Sequence, residues 1–360
     1  MVDTRGKSMS SNQTETNLEA VKATIDNVLN VIDQDREKEI IIRRFGLRDH
    51  KETLEQIGEM LGITRERVRQ LEKAILIRLR IAAEDNRIAG LQTTEKLIIR
   101  KLTEFGRIAR VNELADAILG EEATGPQRAM FTFLGDISAV LTVIYENDFY
   151  YQAVGITEYG DEDTIKERVD EIVKLIKDNK KPMTVDQMDA KLDYEHPDHV
   201  NALAKVSKLL SNLNGLWGLT KWPAVNPRNI RDKIFVILEE TKKPMHFSEI
   251  SKAIAGSDFK RKDVTTQAIH NELIKDDRFV LIGRGIYALG SWGYTRGTVT
   301  DIIEKVLREA GEPVYRDEVV KRVLRTRQVK ETTVLLNLQS KPQFKRTGKA
   351  MYYLAETDKK

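Results

Sequence analysis

The sequence predicts a mainly α protein, with a helix-turn-helix unit near the N-terminus and, after it, tandem modules of three helices closed by a small β-hairpin. Three observations lead to this. Apolar residues recur at helical spacing from Leu18 to about residue 85. Beyond that point one order of helix, tight turn, short helix and aromatic strand comes round four times. Aromatic residues make up only 6% of the 360 residues, which favours several small helical domains over one large sandwich or barrel.

The chain opens with MVDTRGKSMSSNQTET, which has no apolar stretch and so cannot be a secretory signal. Residues 1–17 are expected to form a disordered polar arm, and Met9 is an alternative start. No apolar run reaches the length of a membrane span. The absence of cysteine removes disulfides, thiolate zinc sites and cysteine nucleophiles, and fits a cytoplasmic location. A net charge of +3 means that any attraction to nucleic acid must come from local patches.

Residues 18–85 are expected to fold as a self-contained DNA-binding domain. Within TLEQIGEMLGITRERVRQLEKAILIRLR, Thr53 and Gln56 form a capping box that starts a short helix. Gly62 permits a tight turn, and Thr64 caps the next helix. Val68, Leu71, Ile75 and Leu79 share the inward face of that helix. Glu66, Arg69, Gln70 and Lys73 lie opposite, with Arg65 in the exposed first turn. These are positions from which a recognition helix reaches base edges: arginine suits guanine, glutamate accepts from cytosine and glutamine suits adenine. Arg65, Glu66, Arg69 and Gln70 are therefore the candidate base readers, and Thr64 and Lys73 candidate backbone contacts.

From these residues, the run RRFGLRDHKETLEQIGEMLGITRERVRQLEKAILIRLR resembles the domain with which housekeeping sigma factors read the promoter −35 element. The resemblance covers roughly residues 18–80, and places the family's base-contacting positions on Arg65, Glu66, Arg69 and Gln70. It implies double-stranded DNA as a partner, and RNA polymerase core as another, gripped at the beta-subunit flap through apolar surface. Ile40, Ile41 and Ile42 are available either for that grip or for the core. Sigma factors also carry an aromatic-rich helical domain that holds the core clamp and melts the −10 element, and this chain shows no counterpart. A regulator that borrows the reading head is expected in place of a free-standing initiation factor.

The later blocks span residues 93–155, 164–222, 226–293 and 298–355, with an acidic linker expected at 156–163 (ITEYGDED). NKKPM ends at Met183, KKPM recurs at Lys242–Met245, and GEPV occupies Gly311–Val314. Each follows an amphipathic helix and precedes a second short one, and each block closes on aromatic residues: LWGLTKW, GIYALGSW and AMYYLA. The 93–155 block keeps the plan more loosely, ending in FYYQAV. Three helices and a terminal hairpin make a winged helix, so four are expected in tandem. The third block, ending RFVLIGRGIYAL with a hairpin turn at Gly283–Arg284–Gly285, resembles the HARE helix-turn-helix family, a winged module also found in the delta subunit of some bacterial polymerases. That resemblance implies binding to DNA, polymerase or other proteins.

Charge separates the copies. Between Gly311 and Ala350 stand ten cations, Arg327 among them, against four anions. The expected wing FKRTGKAMYY places Lys345, Arg346 and Lys349 around Gly348, where cations suit phosphate. Lys260, Arg261 and Lys262 precede the third helix of their block and are equally a DNA contact or a solvated run. Glu146, Asn147 and Asp148 make an acidic hairpin tip that repels phosphate, so the first copy is expected to pack on protein.

Other chemistry finds little support. His196 and His199 form the nearest histidine pair but sit in a polar loop without further ligands. The glycines of GRGIYALG and GSWGYTRG lack the phosphate-loop pattern. No cofactor and no enzyme activity are expected. The function that follows is a bacterial transcription factor, with two alternatives: a polymerase-associated subunit that docks on the flap and competes with sigma, or a DNA-binding protein without polymerase contact.

Overall fold

The computed structural model describes residues 5–120, 122–192, 194, 197–257, 259 and 264–355, with the side chains of all of these except 5–13 and 197. The chain divides into two compact units, residues 1–221 and 222–360. Both are mainly helical, with small antiparallel sheets.

The first unit begins with α1 (Arg5–Asn30), α2 (Asp35–Phe45), α3 (Leu54–Leu61) and α4 (Arg65–Glu84). The expected disordered arm at 1–17 gives way to helix from Arg5 onward. Val21, Ile25, Val28 and Leu29 bury one stripe at helical spacing. The helix propagates back from it through a run without proline. Asn17 Nδ2 donates to the Ile118 carbonyl at 3.0 Å, so the end of the arm is tied down.

The expected domain at residues 18–85 shares its larger core with the block that follows. Ile41, Ile42, Ile75, Leu79 and Ala82 share one apolar core with Ile98, Leu102, Leu114, Ile118, Phe131 and Phe133. The Phe45 and Phe133 rings meet at 4.8 Å, and Arg80 Nε donates to the Asp136 carbonyl at 2.7 Å. The second half of α4 is thus a core helix of the block that follows. That block runs α5 (Leu91–Glu104), β1 (Ile108–Arg110), α6 (Val111–Leu119), α7 (Gly125–Ile137), β2 (Leu141–Ile144) and β3 (Ala153–Ile156), with sheet order β1-β3-β2.

The segment expected as an acidic linker, 156–163, connects β3 to the next helix and makes contacts of its own. Ile156 is buried at the end of β3, and the Arg107 guanidinium lies 3.9 Å from the Tyr159 ring centre. Arg168 donates to the Tyr159 carbonyl at 2.8 Å. Asp161 caps the next helix by accepting from Thr164 N at 2.9 Å. That helix, α8 (Glu162–Asn179), leads into α9 (Val185–Leu192), α10 (Pro197–Val206), β4 (Leu210–Leu213) and β5 (Leu216–Leu219). His199 is buried and its Nδ1 lies 2.8 Å from the Gly106 carbonyl, a packing role. His196 lies outside the described residues.

The second unit holds α11 (Ile230–Thr241), β6 (Met245–His246), α12 (Phe247–Gly256), α13 (Thr266–Lys275), β7 (Phe279–Gly283) and β8 (Ile286–Leu289). The last block repeats the order as α14 (Val299–Ala310), β9 (Val314–Tyr315), α15 (Arg316–Thr326), α16 (Glu331–Ser340), β10 (Phe344–Thr347) and β11 (Met351–Leu354). The repeated K-K-P-M and G-E-P-V segments have one structural meaning. The residue after the proline pairs with an aromatic residue of the closing strand: Met183 with Trp217, Met245 with Tyr287, Val314 with Tyr352. Each pair closes the core of its block at the point where the first helix has ended.

Two sequence readings are refined here. The hairpin turn expected at Gly283–Arg284–Gly285 is present, closed by the Gly283–Ile286 pair, and the left-handed residue in it is Gly285. Gly283 also admits a neighbour: a Cβ on it would lie 2.7 Å from the Gln328 carbonyl oxygen. Gln328 N donates to Ile282 O at 2.9 Å, so the last block pairs with the strand of the block before it. Arg327, one of the ten cations in the last block's charge balance, is 6% exposed and donates to the carbonyls of Leu281 and Gly297. It is a core tie and not a surface charge.

Candidate nucleic-acid interface

The helix-turn-helix is built from local chemistry. Thr53 N donates to Gln56 Oε1 at 2.8 Å and Gln56 N to Thr53 Oγ1 at 3.3 Å, so α3 starts with two otherwise orphan donors satisfied. Gly62 ends it at φ +65°, and Thr64 Oγ1 then accepts from Arg67 N at 3.2 Å to start α4. Gly58, unremarked in the sequence, matters as much, because a Cβ there would lie 2.7 Å from the Ile63 carbonyl oxygen. Ile40, Ile57 and Val68 are fully buried beneath this turn, with Leu54, Leu61, Ile63 and Leu71 packed around them. Arg44 Nε to Glu72 Oε1 at 3.1 Å and Arg78 to Glu37 at 2.5 Å clamp α2 against α4.

On the outer face Arg65, Glu66, Arg69, Gln70 and Lys73 are all exposed, over the first two and a half turns of α4. They are not independent. Arg69 donates to both oxygens of Glu66, at 2.8 and 2.7 Å, and Gln70 Nε2 donates to the same carboxylate at 3.3 Å. Arg65 pairs across the turn with Glu55 at 2.8 Å, a contact no local sequence signal announces. Arg67, also exposed, donates to Gln70 Oε1 at 3.5 Å. The Arg69 guanidinium beside it holds the Glu66 carboxyl below the usual carboxylate range, so it stays an acceptor through neutral pH. Glu66 therefore fixes the fork of Arg69 in the free protein. These contacts sit in water, where an ion pair is worth little and exchanges readily for a base edge.

Ile40 and Ile41 are fully buried and Ile42 is 8% exposed, so all three belong to the core and none is free for a partner. The large apolar side chains that α4 does expose are Ile77 and Ile81, each 47% accessible.

In the last block Lys345 and Arg346 lie on β10 opposite Tyr353 and Tyr352, and Lys349 follows the left-handed Gly348 at the tip. All three are exposed and none forms an ion pair among the described residues. At the tip of the first block Glu146 is bonded to Lys208 at 2.7 Å, and Asn147 Oδ1 accepts from Phe149 N and Tyr150 N. This acidic hairpin end is thus occupied within its own unit. Lys260, Arg261 and Lys262 lie outside the described residues. Among those described, no cluster of three or more His, Asp or Glu side chains gathers to hold a metal, and no helix is long and apolar enough to cross a membrane.

Comparison with known proteins falls on the same segment. Residues 34–80 match the family model for Sigma-70, region 4. The chain is 48% identical over 64 residues to RNA polymerase sigma factor RpoD of Helicobacter pylori strain 26695, and equally to that of strain J99. Each alignment covers 17% of this chain and 9% of the relative. The helix-turn-helix near the N-terminus is a sigma-70 region 4 domain.

Proposed function

We propose that this chain is a sequence-specific DNA-binding transcription factor whose first unit reads a −35-like promoter element with Arg65, Glu66, Arg69 and Gln70. One observation carries the reading. Those four side chains form a single exposed face on a capped helix, directly after a tight turn, in the segment that matches sigma region 4. Thr64 at the helix N-terminus and Lys73 one turn beyond the readers are placed for phosphate. The later blocks are read as winged-helix modules of HARE type, on the recurring helix–strand–helix–helix–hairpin order. The basic wing at Lys345, Arg346 and Lys349 serves as a backbone clamp.

RNA polymerase is the proposed protein partner, because the matched relatives are RNA polymerase sigma factors. With Ile40, Ile41 and Ile42 buried, Ile77 and Ile81 are the large apolar side chains that α4 itself offers for such a contact. Selection from random duplexes by the purified chain, with and without polymerase core, tests the proposal. Enrichment of TTGACA-like sites is expected. Enrichment of no sequence by the chain alone, together with DNA-independent capture of core, would transfer the function to a polymerase-docking subunit.

A further inference from the structure

The sheet of the last block, order β10-β11-β9, has two faces. On the inner one Val314, Phe344 and Tyr352 are buried. On the outer one Tyr315 of β9 stands opposite Met351 of β11, and Tyr353, two residues along β11, stands opposite Lys345 of β10. Tyr315 is 47% accessible and Tyr353 39%. The pairing register sets the positions of Tyr315, Met351 and Tyr353 on Arg110, Ala153 and Gly155 in the first block. In the second they fall on Thr184, Leu216 and Gly218, and in the third on His246, Ile286 and Ala288. No other block has a tyrosine at any of the three, and the position of Tyr353 is elsewhere glycine or alanine.

Small residues go with a covered face. In the first block a Cβ on Gly155 would lie 3.2 Å from Ile165 of α8, and Arg110 donates to the Lys205 carbonyl of α10. In the third, Trp292 and Tyr294 pack on the cluster of Val280, Ile282 and Ala288. The last block instead puts two phenol rings into solvent on that face. Tyr315 and Tyr353 are diagonal neighbours on antiparallel strands, about 7–8 Å apart. The cations around them are Lys345, directly beside Tyr353, and Lys349 at the hairpin tip, both exposed and without ion pairs among the described residues. The strand positions of this face hold no carboxylate. Of the acids flanking β9, Glu312 lies ahead of the strand and Asp317 is paired with Arg316 at 2.8 Å. Exposed aromatic rings interleaved with unpaired cations suit a polyanion whose bases are free to stack. A single strand can unstack and lay a base on each ring, whereas a duplex keeps its bases paired and about 3.4 Å apart.

We propose that the outer face of this sheet is a binding site for single-stranded DNA, with Tyr315 and Tyr353 stacking on unpaired bases and Lys345 and Lys349 holding the phosphates. It goes beyond the duplex reading proposed above and uses no residue of α4. The strand is taken as DNA because the function proposed above puts this chain on DNA, and in that respect alone the inference rests on it. A protein-docking face would use the tyrosines equally well but has no need of free cations without carboxylates among them.

The test measures the affinity of the full chain for oligo-dT, for an abasic strand of the same length and charge, for oligo-U and for a random duplex, at one moderate salt concentration. Oligo-dT is expected to bind at least about fivefold more tightly than the abasic strand. Tyr315→Leu with Tyr353→Leu should abolish that difference. Tyr315→Phe with Tyr353→Phe should keep it, since stacking needs the ring and not the hydroxyl. The leucine variant should hold the random duplex and melt as the unmodified chain does, so the result stands apart from duplex reading by α4. Equal affinity of the unmodified chain for oligo-dT and the abasic strand overturns the proposal, whatever the variants do. So does a difference that survives the leucine substitutions, or a loss on the duplex as large as that on oligo-dT. Tighter binding of oligo-U than of oligo-dT overturns it too, by making the ligand RNA.

Discussion

Glu66 has two roles in the account proposed here, as an acceptor for a base and as the holder of Arg69. In the free protein the second role wins, because the guanidinium takes both carboxylate oxygens. Asp136 shows the opposite electrostatics in the core. Burial pushes its carboxyl up to about 6 from 3.8, opposed by the Tyr145 hydroxyl that donates to it and by Arg80 and Lys51 nearby. The fold therefore favours the protonated form. Stability associated with this group is full below about pH 3.8 and is lost as pH rises through about 6. The loss is on the order of 3 kcal/mol, about 1.4 for each unit between the two values. Asp136→Asn keeps an acceptor for Tyr145 and removes the titration. Its stability relative to wild type, followed by thermal melting, should improve between pH 4 and 7 and level off above. A difference that does not change with pH would mean that Asp136 ionises freely in the folded protein.

At the scale of elements, the repeat is held by backbone conformation as well as by its strand pairs. The first helix of a block ends in a left-handed residue at Lys180, Lys242 and Gly311, with φ of 58°, 49° and 66°. Only the last uses glycine, and nothing lies within 4 Å of where its Cβ would stand, so any cost of substitution there comes from φ alone. Gly311→Ala should destabilise by about 1 kcal/mol, and Lys242→Gly should stabilise by up to about the same amount, read as shifts in the urea midpoint. No change at either site would contradict the conformational account. These caps, the proline turns and the closing aromatics are local signals, which is why the recurring order of the last three blocks was legible in the sequence. The helix-turn-helix was legible for the same reason, since caps, turn and face lie within about thirty residues. What stayed hidden was long-range. Arg327 reads as one more cation until its bonds to Leu281 and Gly297 carbonyls are seen, and Gly283 reads only as part of a turn until Gln328 is placed beside it. The Glu55–Arg65 pair and the Gly58 contact likewise depend on how α3 meets α4.

At the scale of the molecule, the helix-turn-helix shares its packing with the rest of the first unit. Its second core is completed by residues from the block after it, with Phe133 fully buried against Phe45. A fragment of residues 18–85 leaves Ile41, Ile75 and Leu79 without that cover, so it should show no cooperative thermal transition, whereas residues 1–221 should unfold cooperatively. A sharp transition for 18–85 alone would show that the shared core is dispensable. The second half of α4 is anchored in this core, which sets the proposed reading face of its first half on a rigid support. The measurement that bears most directly on this account is the affinity of the full chain and of its Arg69→Ala variant for a TTGACA-containing duplex and for a random one, at one moderate salt concentration. The account predicts a loss of about 1–3 kcal/mol on the specific duplex and little change on the random one. Equal affinity of the two proteins for the specific duplex would contradict base reading by α4.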